Sequence, residues 1–205
     1  MTNHLNRLQH ITQRQIQMFK TIILSLLVLS GVISCKTSEK EIEKLEIAKK
    51  YYTALDSSDS SAITLLLTDS LVTKEAEYEQ TFFMKDYVEW LKWDAVFDPK
   101  YEILQIEQED EIVKAKISKI DKRISFLHQE PIVTNQIIRF DHDRITSIET
   151  TEYVTFNDST FVKNRDGLVN WIKENHPELN GFIHDQTETG GLKYLKAIEL
   201  YKNKI

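Results

Sequence analysis

The chain has 205 residues, 41% hydrophobic and 28% charged, with a formal net charge of −6. That composition excludes a disordered or fibrous chain, and an acidic balance without a basic stripe excludes nucleic acid as the expected partner, because it repels phosphate. A single cysteine excludes an internal disulfide and a cysteine-rich zinc site, so the question becomes why that cysteine sits where it does.

Residues 1–34 hold Arg7, Arg14 and Lys20 and no acid, and setting those bases aside takes the net charge from −6 to −9. Lys20 precedes an apolar run, Thr21 to Ser34, that falls short of the roughly 20 residues a membrane-crossing helix needs. A positive residue, a short apolar stretch and small residues at a cut site make a secretory signal over 1–34. Val32-Ile33-Ser34-Cys35 resembles the lipobox of bacterial lipoproteins. The resemblance implies that the Cys35 thiol takes a diacylglycerol and that the cut follows Ser34. It implies further that two or three acyl chains anchor the exported protein to a membrane of the bacterial envelope, where one chain alone would hold weakly. Met1 to Gln17 is a long polar preamble, and Met18-Phe19-Lys20 is a more ordinary beginning, so Met18 is a second candidate start. The competing reading is a buried cysteine ending a short helix. Against it stands the abrupt change after Cys35 to Lys-Thr-Ser-Glu-Lys-Glu, which reads as a solvated tether over 35–41.

Glu39 to Leu55 follows as a helix, with Ile42, Leu45, Ala48, Tyr52 and Leu55 at helical spacing. Asp56-Ser-Ser-Asp-Ser-Ser61 gives a turn and a cap for a short helix near Ser61 to Leu67. Asp69 to Lys74 reads as a loop. Phe83 to Trp93 is a third helix with Tyr87, Val88, Leu91 and Trp90 on its apolar side, and Asp98-Pro99 ends it. Five β-branched, alternating segments come next: Tyr101–Gln108, Ile112–Ile120, Arg123–Gln129, Ile132–Phe140 and Arg144–Phe156. The short polar turns between them favour antiparallel pairing, since a parallel crossover needs a dozen or more residues. The tail returns to helix over Asp166–Glu174 and Leu192–Lys202, broken at His176-Pro177 and Gly190-Gly191.

Helices followed by a run of strands give an α+β fold. At Ala48-Lys-Lys-Tyr-Tyr-Thr-Ala-Leu-Asp56, Ile63-Thr-Leu-Leu-Leu67 and the strand-turn-strand Ile137 to Ile148, the order resembles the nuclear transport factor 2-like, or SnoaL-like, superfamily. The resemblance covers residues 42–156 and rests on order and pattern. It implies N-terminal helices packed on a curved antiparallel sheet that forms a cone, with residues 157–205 as a helical extension. The superfamily holds isomerases, dehydratases, cyclases, ligand binders and interaction modules, so fold alone selects none of them.

Several residues are candidates for chemistry. His128 shares a strand face with Ile124 and Phe126, and it would serve as a general base if that face lines the cone. Glu149 is the nearby acid in that version. The bland alternative is a satisfied core histidine. Trp90, Trp93 and Asp94, with Tyr51 and Tyr52, make a candidate aromatic pocket, against the alternative of plain core. Asp141-His142-Asp143 sits at a hairpin tip, where Asp is common for turn reasons and three consecutive residues cannot all face one ion. His176 and His184 lack partners at ligand spacing. The sequence therefore points to no metal and no cofactor.

The leading expectation is a membrane-anchored envelope lipoprotein whose domain binds a small hydrophobic ligand or a protein partner without catalysis. The alternative is an acid–base enzyme of isomerase or dehydratase type on a small hydrophobic substrate. A third reading is an assembly role, with a homodimer formed through the open face of the sheet.

Overall fold

In a computed structural model of the chain, residues 37–204 are described. The chain divides into a unit Met1–Lys40 and a unit Glu41–Ile205, and the whole sheet belongs to the second. The signal sequence, the lipobox-like tetrapeptide and Cys35 lie outside the described residues.

Helix α1 spans Thr37–Asp56, so part of the expected tether is its first turn. It buries Ile47, Ala48, Tyr51, Tyr52 and Leu55, spaced to make one apolar stripe. Asp59 caps α2 (Ser60–Leu66), its side chain accepting from the Ala62 N–H at 2.9 Å. The chain passes straight into β1 (Leu67–Glu75), which forms a hairpin with β2 (Tyr78–Phe83). Helix α3 (Met84–Ala95) follows, then β3 (Lys100–Glu109) and β4 (Ile112–Ile120). A short helix, α4 (Lys122–Leu127), separates β4 from β5 (Ile132–Asp141) and β6 (Arg144–Thr155). Helix α5 (Asp158–Asn175), two single 3-10 turns and α6 (Glu188–Lys202) end the chain.

The sheet has six strands in the order β2-β1-β6-β5-β4-β3. Two sequence expectations fail here. The sheet is mixed, because β1 pairs with β6 in parallel. It is also open, with β2 and β3 as its outer strands, so it does not close into the expected antiparallel cone. The cause lies in Leu67–Glu75, of which Asp69–Lys74 is expected to lead into a loop. As β1 it joins β6, and the long stretch from α3 to β5 supplies the connection that a parallel pair requires.

A third correction is Arg123–Gln129, expected as a strand, where the structure has α4. Asp121 decides this, its carboxylate accepting from the Ile124 N–H at 2.5 Å and fixing a helix start. Ile124 and Leu127, three residues apart, are then both buried.

Two apolar cores result. The first lies between α1, α2, α3 and one sheet face, where Val113, Ala115 and Ile117 of β4 alternate inward. The second gathers Trp93, Phe97, Leu127, Leu168, Ile172, Phe182, Tyr194, Ala197 and Ile198 from α3 to α6. Helix α3 serves both, giving Tyr87 and Leu91 to the first core and Trp93 to the second.

Candidate functional site

The first core is not filled. A cavity of about 270 Å³ is bounded by Tyr51 and Tyr52 of α1, Tyr87 and Trp90 of α3, Tyr101 of β3, and the strand residues Gln136, Ile148 and Thr150. Its other side is β1 and β2, through Thr73, Glu75, Gln80 and Phe82. Adjacent positions Tyr51 and Tyr52 share the inward face of α1, with rings edge to face at 5.4 Å. Tyr87 and Trp90 lie one turn apart on α3 and stack at 5.5 Å with 7° between planes. The result is a flat aromatic wall, suited to a planar molecule. An apolar cavity of roughly 150 Å³ admits benzene, so this one has room for a two-ring compound.

Besides Thr73, Lys74, Glu75, Gln80, Gln136 and Thr150, the polar groups around it are tyrosine hydroxyls. The Tyr51 and Tyr87 oxygens are 2.6 Å apart, so one donates to the other. Tyr52 donates to Gln136 Oε1 at 2.6 Å, and the Gln136 amide donates to Thr134 Oγ1 at 3.1 Å. Tyr101 donates to Asp94 Oδ2 at 3.0 Å. Asp94 is buried, and its other oxygen receives Lys119 Nζ at 2.6 Å. That ammonium lies 4.8 Å from the Tyr101 ring centre and 5.8 Å from that of Trp90.

Burial pushes the Tyr51, Tyr52 and Tyr101 hydroxyls well above the ordinary tyrosine range. The Tyr87 hydroxyl rises for the same reason, against a lowering effect of its hydrogen bond with Tyr51. The Asp94 charge raises Tyr101 further. All four are therefore neutral phenols near pH 7, able to donate or accept a hydrogen bond but not to act as phenolate bases.

The sequence candidates part company here. Tyr52 and Trp90 line the cavity. Asp94 stands directly behind it, bonded to Tyr101. Trp93 turns the other way, into the second core, 5.1 Å from the Phe97 ring centre. His128 caps the end of α4, buried, and is not among the cavity-lining residues. Its Nε2 accepts from the Asn157 N–H at 2.7 Å, which leaves Nδ1 to donate to the Glu130 carbonyl, also at 2.7 Å. Its ring stacks on Phe156 at 5.3 Å. Glu149 pairs with Arg139 at 3.1 Å and is also absent from the lining. The structure thus brings neither His128 nor Glu149 to the cavity.

His142 pairs with its neighbour Asp141, and His176 with Glu178. Among the described residues no group of three His, Cys, Asp or Glu is placed to hold a metal. A second hollow, about 300 Å³, is lined by Gln105, Glu107, Lys114, Lys116, Asn135 and Ile137, from strands alone. Sequence reading missed Tyr101, Gln136 and Lys119 as partners of the cavity, and took Tyr87 as simple core. Tyr87 and Trp90 carried a usable sign in their spacing of three, whereas Tyr101, Gln136 and Lys119 are joined only by strand register.

The sequence matches no protein-family model and no curated protein. Solved structures share its outline. An NTF2-like protein of unknown function from Cytophaga hutchinsonii aligns with 57% of this chain and 91% of its own, at 12% identity and a TM-score of 0.43. A cystatin-fold protein from Novosphingobium aromaticivorans aligns with 53% of this chain and 97% of its own, at 19% identity and 0.46. An epoxide hydrolase/cyclase-like enzyme of pyran-ring formation in the polyether salinomycin aligns with 58% and 95%, at 12% identity and 0.47. This is a distant likeness to the nuclear transport factor 2-like and cystatin-like group. At these scores it concerns fold outline and not activity.

Proposed function

We propose that the domain takes a small, flat, largely apolar molecule into the aromatic cavity and exchanges a proton with it, as an acid–base enzyme of isomerase or dehydratase type. The observation that carries this is Tyr101 OH on Asp94 at 3.0 Å, a cavity phenol backed by a buried carboxylate. Such a pair passes a proton without exposing the carboxylate: the phenol takes one from the substrate and gives its own to Asp94. The test is exchange of substrate hydrogen for solvent deuterium, using the small molecule that native mass spectrometry finds retained on the purified protein. Exchange with the wild type that is lost in Tyr101→Phe supports the reading; equal exchange in both overturns it.

A second reading, binding without turnover, is favoured by the rim. Glu75, the carboxylate among the described lining residues, is occupied by the Tyr153 hydroxyl at 2.7 Å. A retained molecule that exchanges no hydrogen would favour this reading.

The charged residue, apolar run and Val32-Ile33-Ser34-Cys35 support an exported protein held to a bacterial membrane through lipid on Cys35. Among the described residues no helix is long and apolar enough to cross a membrane. Cys35→Ser should abolish fatty-acid labelling and release the protein from the membrane fraction; unchanged labelling would overturn the anchor.

A further inference from the structure

The four buried tyrosines around the cavity differ in where their hydroxyls donate. The Tyr52 hydroxyl donates to Gln136 Oε1, and the Tyr101 hydroxyl donates to Asp94 Oδ2. Of the Tyr51–Tyr87 pair, one proton is used between them. A phenol that has donated keeps lone pairs and can only accept. Tyr52 has a neutral amide oxygen as its partner, and that amide can turn over to present nitrogen instead. Tyr101 has no such freedom. As a carboxylate Asp94 carries acceptors alone, and its other oxygen accepts from Lys119 Nζ at 2.6 Å.

We infer that Asp94, fixed by Lys119, sets the hydrogen-bond polarity of the cavity by making Tyr101 an acceptor, so that the site selects ligands bearing a hydroxyl or N–H over ligands of the same shape without one. This rests on the cavity being a small-molecule site and adds which molecules it takes. Tyr101 is the group that touches the ligand, and Asp94 and Lys119 are positioning residues. The Lys119 ammonium behind Tyr101 and Trp90 serves the same end, since a charge that fixes Asp94 also fixes the tilt of the phenol in front of it. Discrimination of this kind is strong where a buried polar group would otherwise go unpaired.

The probes are 2-naphthol and 2-methoxynaphthalene, in which a methyl group replaces the hydroxyl proton. Equilibrium dialysis against the full-length protein should show 2-naphthol bound about fivefold or more tightly than its ether, the worth of one hydrogen bond. Tyr101→Phe should bring that ratio to about one. Asp94→Leu should shrink the preference, because the freed Tyr101 hydroxyl can then donate to the oxygen of either probe. Since Asp94→Leu empties a buried ion pair and can fail to fold, Tyr101→Phe decides the matter by itself. Wild-type protein that binds both probes equally, or a Tyr101→Phe variant that still prefers 2-naphthol, overturns the polarity assignment and leaves the cavity standing. Failure of the wild type to bind either probe overturns the cavity reading and the inference with it.

Discussion

Alkali should unfold this domain in one cooperative step, and the cavity tyrosines supply the reason. Tyr51, Tyr52, Tyr87 and Tyr101 all have hydroxyls raised above the ordinary range by burial. In the unfolded chain tyrosine ionises near pH 10. Between that pH and the raised folded values, the unfolded chain has released protons that the folded chain still holds. Stability therefore falls as pH rises in that window, and the contribution of these groups is complete only below about pH 10. Each group costs about 1.4 kcal/mol per pH unit inside the window, so four together cost about 5 kcal/mol per unit. A domain stable by about 5–15 kcal/mol loses that within roughly one to three pH units. The assay follows far-ultraviolet circular dichroism and phenolate absorbance on the same samples. The reasoning requires the helical signal to collapse in the same step as buried phenolate appears. A smooth titration of every tyrosine near pH 10 with the helical signal intact would refute it.

Other perturbations follow from single contacts. His128→Ala leaves the Asn157 N–H and the Glu130 carbonyl unpaired beside an emptied ring site. It should lower stability by about 3 kcal/mol in urea unfolding, with deuterium exchange at the cavity unaffected in protein that remains folded. Asp121→Ala removes the cap of α4 and an anion beside Lys119 and Arg123; a loss of about 2–4 kcal/mol is expected from the same assay. A Cβ on Gly190 would stand 2.1 Å from the Asp185 carbonyl oxygen. Gly190→Ala must therefore displace the turn that leads into α6 and should cost about 2 kcal/mol or more in thermal melting. A Cβ on Gly167 meets the far end of the Tyr201 side chain at 2.9 Å. Gly167→Ala should thus be neutral or stabilise by up to about 1 kcal/mol, as a helix-interior glycine replaced by a better helix former; a large loss there would show that the Tyr201 ring cannot shift.

Much of the framework was legible because strong local patterns agree with tertiary burial. Helix α1, expected over Glu39–Leu55, runs Thr37–Asp56, and β4 spans Ile112–Ile120 as its alternation indicates. The failures have local causes too. In β1 the polar residues Thr68, Asp69, Ser70, Thr73 and Lys74 outnumber the two that reach the core, Leu67 and Leu71. An edge hairpin of this kind is held by ladder bonds and one sparse inward row, and such a row reads as a loop. In Arg123–Gln129 the alternation of Ile124, Phe126 and His128 mimicked a strand. The decisive residue was Asp121, a capping type standing before Ile124 and Leu127 at helical spacing, and a capping search would have found it.

These two misreadings displaced the expected chemistry together. A strand at 123–129 puts His128 on a sheet face, where a histidine invites the role of base. A helix there makes His128 the last residue of a turn, and turn ends have unpaired carbonyls and amides to satisfy. Its two nitrogens are spent on that task, one toward Glu130 and one toward Asn157 at the start of α5. The same shift gives the sheet β1 and β2, whose Thr73, Glu75, Gln80 and Phe82 close the side of the cavity that α1 and α3 leave open. The acid–base candidates thus move from a histidine to a phenol with a carboxylate behind it, Tyr101 and Asp94, placed seven residues apart across the α3–β3 turn. No periodicity links those two positions. What joins them is the chain reversal at Asp98, at φ 57, and the pairing of Lys100 with Ile120 that fixes where β3 begins.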